Sequence, residues 1–305
     1  MPSISFLFVM FSLVGCSSSV QTQEKPTFVS PFQYDRGIPL EQTIQVIEST
    51  KTVKRYRVEF QGMKERVEGN FIVPILENGK PPVILLLHGY GGNKEQMGLF
   101  ANAIVGLGYA TFALDAPLHG KRAKPGRDIF DSNLDVLRDN FIEAVVDYRR
   151  AIDYLKTRFD VDSSRILVMG VSMGGFMASQ LAGADTRVSA AVLLITGGDI
   201  VSLIKESKLP RTSVLRKSLE EMGEDNARKK FHDFDPATWV AKISPRPVLI
   251  VSGTRDEIIP QVSTDALINS AKEPKTVVLE NMGHTLNPES LLKIYNWLRE
   301  YRDSN

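Results

Sequence analysis

From about residue 82 onward the chain alternates short apolar runs with longer amphipathic ones. Pro82-Val83-Ile84-Leu85-Leu86-Leu87 is almost unbroken in its apolar character, and comparable runs stand at 109–114, 165–169, 190–195, 247–251 and 276–279. Short runs of this kind, rich in β-branched residues and bounded by Gly, Pro or Asp, read as strands buried on both faces. Helical patterns separate them. One covers about 94 to 107, another runs from Phe176 to Ala184, and Leu291 to Tyr301 closes the chain. The longest spans about 133 to 157, where Phe141, Val145, Tyr148, Ile152 and Leu155 return to one face at helical spacing. Upstream, Lys54 to Gln61 and Val67 to Val73 alternate polar and apolar positions and read as a pair of antiparallel strands. Strand and helix in alternation predict an α/β fold: a mostly parallel, eight-stranded, doubly wound sheet with helices on both faces.

Two segments fall outside this rhythm. Between Gly197 and Pro245 the residues Ile200, Leu203, Ile204, Leu209, Val214, Leu215 and Leu219 recur among mixed charges, which predicts a helical pair lying over the sheet as a small cap, about residues 199–243. Lys121 to Phe130, rich in Lys, Arg, Pro and Gly, reads as a second loop near the same end. Residues 17 to about 45 are polar, so 16–50 is expected to be a tether and arm ahead of one domain over 51–303.

The chemistry gathers where these strands end. The run 165–169 leads into Gly170-Val171-Ser172-Met173-Gly174-Gly175 and then a helix. G-x-S-x-G at a strand-to-helix turn holds a serine in a strained conformation with its hydroxyl clear of the sheet. Thr254-Arg255-Asp256 follows the strand 247–251, and Asn281-Met282-Gly283-His284 follows 276–279. Open α/β sheets collect their functional groups past the carboxyl ends of strands. The order Ser172, Asp256, His284 is that of the nucleophile-elbow hydrolases and differs from the other serine hydrolase folds. Glu257 is a weaker candidate for the acid and His119 for the base, the latter because it precedes the nucleophile and follows no second strand. His88-Gly89-Tyr90-Gly91-Gly92 closes the strand 82–87, and the backbone N–H groups of Tyr90 and Met173 are the expected oxyanion donors. His88 is expected to pack beneath its loop, and Asp115 to serve as a structural loop carboxylate.

With these motifs the chain resembles the α/β-hydrolase superfamily over about residues 55 to 303. It is similar in particular to dienelactone-hydrolase-like and prolyl-oligopeptidase-like carboxylesterases. The stretches that carry the likeness are His88 to Lys94, Leu114-Asp115-Ala116-Pro117-Leu118-His119-Gly120, Gly170 to Gly175, Pro247 to Pro260, and Gly283-His284. The resemblance implies hydrolysis of carboxylic esters of short acyl chains through a serine acyl-enzyme, with no cofactor and no metal. True dienelactone hydrolases use a cysteine nucleophile, so Ser172 points to ordinary esters. A peptidase or acylaminoacyl hydrolase would use the same three residues, and a non-catalytic envelope lipoprotein is the remaining alternative.

The amino terminus adds a location. Ser3 to Val14 is an apolar stretch too short for the roughly 20 residues that span a bilayer. It leads to Leu13-Val14-Gly15-Cys16 and three serines, although residues 1–10 hold no Lys or Arg. This looks like a bacterial lipoprotein signal over 1–15, with lipidation of Cys16, the only cysteine, and anchoring at the membrane surface of the cell envelope. One cysteine forms no disulfide framework. The formal net charge of +1 gives no field for nucleic acid, and 43% hydrophobic with 24% charged residues is ordinary for a globular enzyme. The four histidines, at 88, 119, 232 and 284, show no metal-ligand spacing.

Overall fold

A computed structural model describes residues 30–304. Nine strands form one sheet: β1 (Thr43–Ser49), β2 (Val53–Gln61), β3 (Arg66–Pro74), β4 (Pro82–Leu87), β5 (Ala110–Leu114), β6 (Asp162–Val171), β7 (Val188–Leu194), β8 (Val248–Gly253) and β9 (Lys275–Glu280). Their order is β1-β2-β3-β5-β4-β6-β7-β8-β9. β1, β2 and β3 run antiparallel to their neighbours, and β4 to β9 are mutually parallel. All the parallel strands therefore end on one edge, where the crossovers leave a crevice.

The unbroken apolar runs hide an alternation. Val83, Leu85 and Leu87 of β4 join one core layer, while Ile84 and Leu86 join the other. The first layer packs under α2 (Leu134–Lys156) and α3 (Met173–Ala184), the second under α1 (Gly98–Gly106) and α9 (Pro288–Ser304). Covered on both faces, β4, β5 and β8 need apolar residues at every position; β9, expected from its sequence to be buried likewise, is an edge strand with Val277 and Leu279 exposed. Asn133 starts α2 by accepting the N–H groups of Asp135 and Val136, a cap commonly worth about 1 kcal/mol.

The ninth strand departs from the sequence expectation of eight. β1 lies inside the segment expected to be a tether, and it was hidden because every residue of it is exposed. Ile44, Val46 and Ile47 all face solvent, and the register shifts between Val46 and Glu48, so no half-buried alternation marks it. The arm before it is also fastened to the domain. Phe32 is buried against Trp239, and Arg149 Nη1 donates to the Phe32 carbonyl. In the insertion between β7 and β8 the expected helical pair is four helices: α4 (Ile200–Glu206), α5 (Thr212–Met222), α6 (Glu224–Phe231) and α7 (Pro236–Val240). Leu203, Leu215 and Leu219 are buried there, whereas Val214 faces solvent. α8 (Gln261–Ser270) follows β8. Cys16 and the leader lie outside the described residues, among which no helix is long and apolar enough to cross a membrane.

Asp185, at the end of α3, knits arm and core. Burial raises its carboxyl pKa, but bonds from Arg187 and Arg149 outweigh this and hold it at about 2, against an ordinary 3.8. A depressed carboxyl stabilises the fold fully above its unfolded value and loses that stabilisation as pH falls through its folded one. The contribution, about 2 kcal/mol at neutral pH, is expected to vanish between about pH 4 and about pH 2. In urea unfolding, Asp185→Asn should cost about that much at pH 7 and show a shallower loss than wild type across the acid window. Equal slopes would refute the assignment.

Candidate active site

The site is built on the carboxyl ends of β4, β6, β8 and β9. β6 ends at Val171, and Ser172 turns the chain into α3 with φ 56° and ψ −119°. A non-glycine residue held there costs about 1–3 kcal/mol. The turn is held by neighbours: Ser172 N–H donates to Leu194 O at 2.8 Å, and its carbonyl accepts from Gly175 N–H at 2.8 Å and Thr196 Oγ1 at 3.0 Å. Glycine is required on both sides. A Cβ on Gly170 would lie 2.1 Å from Gly174 O, and one on Gly174 would lie 2.1 Å from Leu87 O.

His284 reaches Ser172 from the loop after β9. Its Nε2 is 2.8 Å from Ser172 Oγ and its Nδ1 is 2.7 Å from Asp256 Oδ2. An ionised carboxylate only accepts, so Nδ1 carries the proton towards Asp256 and Nε2 is left to accept from the serine hydroxyl. Asp256 is buried, and its second oxygen accepts from the N–H groups of Ile258 and Ile259, both at 2.9 Å. Gly253 lets this loop approach the next one, since a Cβ there would meet Met282 O at 2.3 Å. The rival candidates stand elsewhere. Glu257 is exposed and pairs with Lys208, and His119 Nδ1 is 3.0 Å from Pro117 O, with its ring against His88 and Tyr90.

The loop after β4 passes close to the serine: a Cβ on Gly89 would sit 3.5 Å from Ser172 Cβ. Gly89, Tyr90 and Met173 all line the same cavity as Ser172 and His284. His88 anchors this loop from below. Nδ1 donates to Gly89 O at 2.8 Å and Nε2 accepts from Ala116 N–H at 3.0 Å. Burial, the main cause, lowers its pKa to about 4, so it is neutral at pH 7. Asp115 accepts from Lys94 N–H and Nζ and from Lys121 N–H, a structural role as its position suggested.

The cavity measures about 290 Å³ and is walled by Phe130, Phe141, Phe176, Ile204, Leu215 and Phe234, among other apolar side chains. Its cover is tied down on two sides. Ser207 Oγ donates to Ile258 O at 2.6 Å and Lys208 N–H to Glu257 O at 2.8 Å, beside the acid. Across the cavity Arg211 pairs with Asp128 at 3.2 Å, and Asp128 accepts the Tyr90 hydroxyl at 2.7 Å. Burial first, then Asp128, pushes the Tyr90 phenol up to about 12. Sequence reading missed Asp128 and the buried Gln180 of the cavity wall, because a lone polar residue on a loop or on a helix buried all round carries no periodic signal.

Residues 84–291 match the alpha/beta hydrolase family. The chain belongs to that family. It is 27% identical over 219 residues to YtaP of Bacillus subtilis (strain 168), covering 67% of this chain and 70% of that protein. Acetyl xylan esterase 1 from Thermoanaerobacterium sp. JW/SL YS485 matches with a TM-score of 0.76 at 19% identity, over 88% of this chain and 90% of the other. The Pyrococcus horikoshii acylaminoacyl peptidase matches with a TM-score of 0.63 at 20% identity, over 83% of this chain and 42% of the other. At such identities the solved structures speak for the fold.

For this family member the tight glycine contacts give a direct test. Gly174→Ala is expected to lower stability by about 1–3 kcal/mol, as overpacking commonly does, and to displace Ser172. Thermal unfolding and the rate of fluorophosphonate labelling would read the two effects. A variant that keeps both wild-type values would show that the turn does not depend on this contact.

Proposed function

We propose that this alpha/beta hydrolase is a serine carboxylesterase. The supporting observation is the continuous hydrogen-bonded series Asp256, His284, Ser172, opening on an apolar cavity. Ser172 Oγ attacks the ester carbonyl carbon while His284 Nε2 takes its proton, and Asp256 orients the ring and stabilises its charged form. The carbonyl oxygen, now negative, accepts from the N–H groups of Tyr90 and Met173; such a donor is commonly worth about 2.7–4 kcal/mol in the transition state. The tetrahedral intermediate collapses, the C–O bond to the alcohol breaks, and His284 returns its proton to the departing alkoxide. Water then attacks the acyl-serine, giving a proton to His284; the acid leaves, and Ser172 recovers its hydroxyl.

The cavity refines the substrate. The sequence led to an expectation of short acyl chains, but 290 Å³ is about ten times the volume of a liquid water molecule. An acetyl group would leave most of it empty, so the reading here is esters with an apolar group from butyryl upward. Hydrolysis of p-nitrophenyl acetate, butyrate and octanoate tests this. Wild type should favour the longer two, and Ser172→Ala and His284→Ala should lose at least a thousand-fold in kcat, with Asp256→Asn down by about 10⁴. Ester turnover that survives in Ser172→Ala would sink the assignment, and turnover confined to p-nitroanilide amides would favour a peptidase.

The lipoprotein reading rests on the apolar stretch Ser3 to Val14 and on Leu13 to Cys16 with the serines after it, and we extend the proposal to an enzyme held at the envelope surface. In cells fed an alkynyl fatty acid, the full chain should take up label and Cys16→Ser should not. Equal labelling of the two would remove the anchor.

A further inference from the structure

The loop after β4 is held firmly at its base and thinly at its tip. At the base, His88 Nδ1 donates to Gly89 O and Nε2 accepts the Ala116 N–H. The tip is a tight turn in which Gly92 N–H donates to Gly89 O at 3.0 Å, with Tyr90 and Gly91 at its two central positions. Gly91 takes φ 71°, a left-handed value that suits glycine, and a Cβ there would meet nothing within 4 Å. The Tyr90 N–H donates to no other described residue. What fastens the tip is the Tyr90 side chain. Its ring stands edge-on to Phe130 and His119, 5.1 and 5.8 Å away between centroids. Its hydroxyl donates to Asp128 Oδ2 at 2.7 Å, and a pKa raised to about 12 by burial and by Asp128 keeps that proton in place at pH 7. Asp128 is itself tied on two sides: Oδ1 accepts the Phe130 N–H at 2.8 Å, and Oδ2 also pairs with Arg211 of the insertion at 3.2 Å.

We propose that Asp128 is a positioning residue for the oxyanion: by holding the Tyr90 hydroxyl it fixes the ring, and with the ring the Tyr90 N–H that receives the negative oxygen. On the esterase reading, on which this inference rests, Asp128 touches no reacting atom and acts only through Tyr90. A backbone donor stabilises the transition state when it is already aimed at the place where charge develops. A turn tip whose outer side is open has no packing of its own to keep that aim, so the bond to Asp128 supplies it. If the tip drifts, Ser172, His284 and the apolar walls stay where they are. Binding of the ester is then preserved while stabilisation of the tetrahedral oxyanion falls. Because Arg211 pairs with the same carboxylate oxygen that takes the Tyr90 hydroxyl, the donor is aligned by a carboxylate that the insertion also holds.

Tyr90→Phe is the most direct variant, since it removes the hydroxyl and keeps the ring against Phe130 and His119. With p-nitrophenyl butyrate it should lower kcat about ten-fold and leave KM unchanged, a smaller loss than the roughly 10²–10³ that follows outright removal of an oxyanion donor. Asp128→Ala should match it, and the double variant should lose no more than either single one, because both remove the same bond. Asp128 also accepts the Phe130 N–H, so if Asp128→Ala does not fold, Tyr90→Phe decides. An alkyl trifluoromethyl ketone reads the oxyanion itself: Ser172 Oγ adds to its carbonyl carbon, His284 takes the hydroxyl proton, and the ketone oxygen becomes negative. Its inhibition constant should rise in Tyr90→Phe by the factor that kcat falls. A raised KM with kcat intact, an unchanged inhibition constant, or losses that multiply in the double variant would overturn the role of Asp128, while wild-type turnover still upheld the esterase. If wild type hydrolyses no ester, the esterase reading fails and this inference fails with it.

Discussion

A Cβ at Gly174 would come within 2.1 Å of the Leu87 carbonyl, so α3 can begin directly above the end of β4 only because no side chain intervenes. The rest of the site depends on that backbone contact. It brings the first turn of α3, with its leading N–H groups and positive dipole end, against the loop that follows Leu87. Ser172 sits at the junction with φ 56°. The strain is offset because its N–H and carbonyl are held by Leu194, Gly175 and Thr196, residues of the next strand, the helix and the following loop. The serine is thus placed through its own main chain, by two backbone groups and the Thr196 hydroxyl, and its side chain is left for His284.

A different means fixes the loops around the serine: buried polar groups whose partners are backbone or opposite charges. His88 joins Gly89 to Ala116 and is kept neutral by burial. Lys94 and Asp115 form a buried pair that holds the same two loops. Further out, Arg122 is buried among Glu65, Glu143 and Asp147 and also donates to Asp115 O. Burial pushes the Asp147 carboxyl up to about 6, with Arg122 opposing it. Removing one member of such a set leaves the others buried without a partner, the costly half of the asymmetry in hydrogen-bond energetics. The D-A-P-x-H-G stretch is structural in this light: Asp115 and His119 support the loops, and neither contacts Ser172.

Much of this was legible in the sequence because one constraint wrote it twice. Strands covered on both faces must be apolar throughout, and groups that must meet at one edge stand just past their ends; Ser172 and Asp256 satisfy both conditions, and His284 the second, since β9 before it is a half-exposed edge strand. β1 was not legible, since an exposed edge strand with a bulge has no buried face to impose alternation. The insertion showed its apolar residues but not its division into four helices, because helices of five to eleven residues are too short for a stripe to establish its period. Gln180 and Asp128 were invisible for another reason. What distinguishes them is a partner far along the chain, Phe234 for one and Tyr90 with Arg211 for the other.

The insertion also bears on site geometry beyond shaping the cavity. Its segment from Ser207 to Arg211 bonds the carbonyls of Glu257 and Ile258 at one end and Asp128 at the other. Those carbonyls adjoin Asp256, whose carboxylate takes the N–H groups of Ile258 and Ile259; Asp128 holds Tyr90, the neighbour of Gly89. On the esterase reading, one short strap therefore braces the acid loop and the oxyanion loop together across the mouth of the substrate cavity. A change in the strap would alter the alignment of Asp256 as well as the shape of the opening. Substrate scope and catalytic alignment in this protein are then set in part by the same few hydrogen bonds, and substitutions that enlarge the cavity from the strap side act on both.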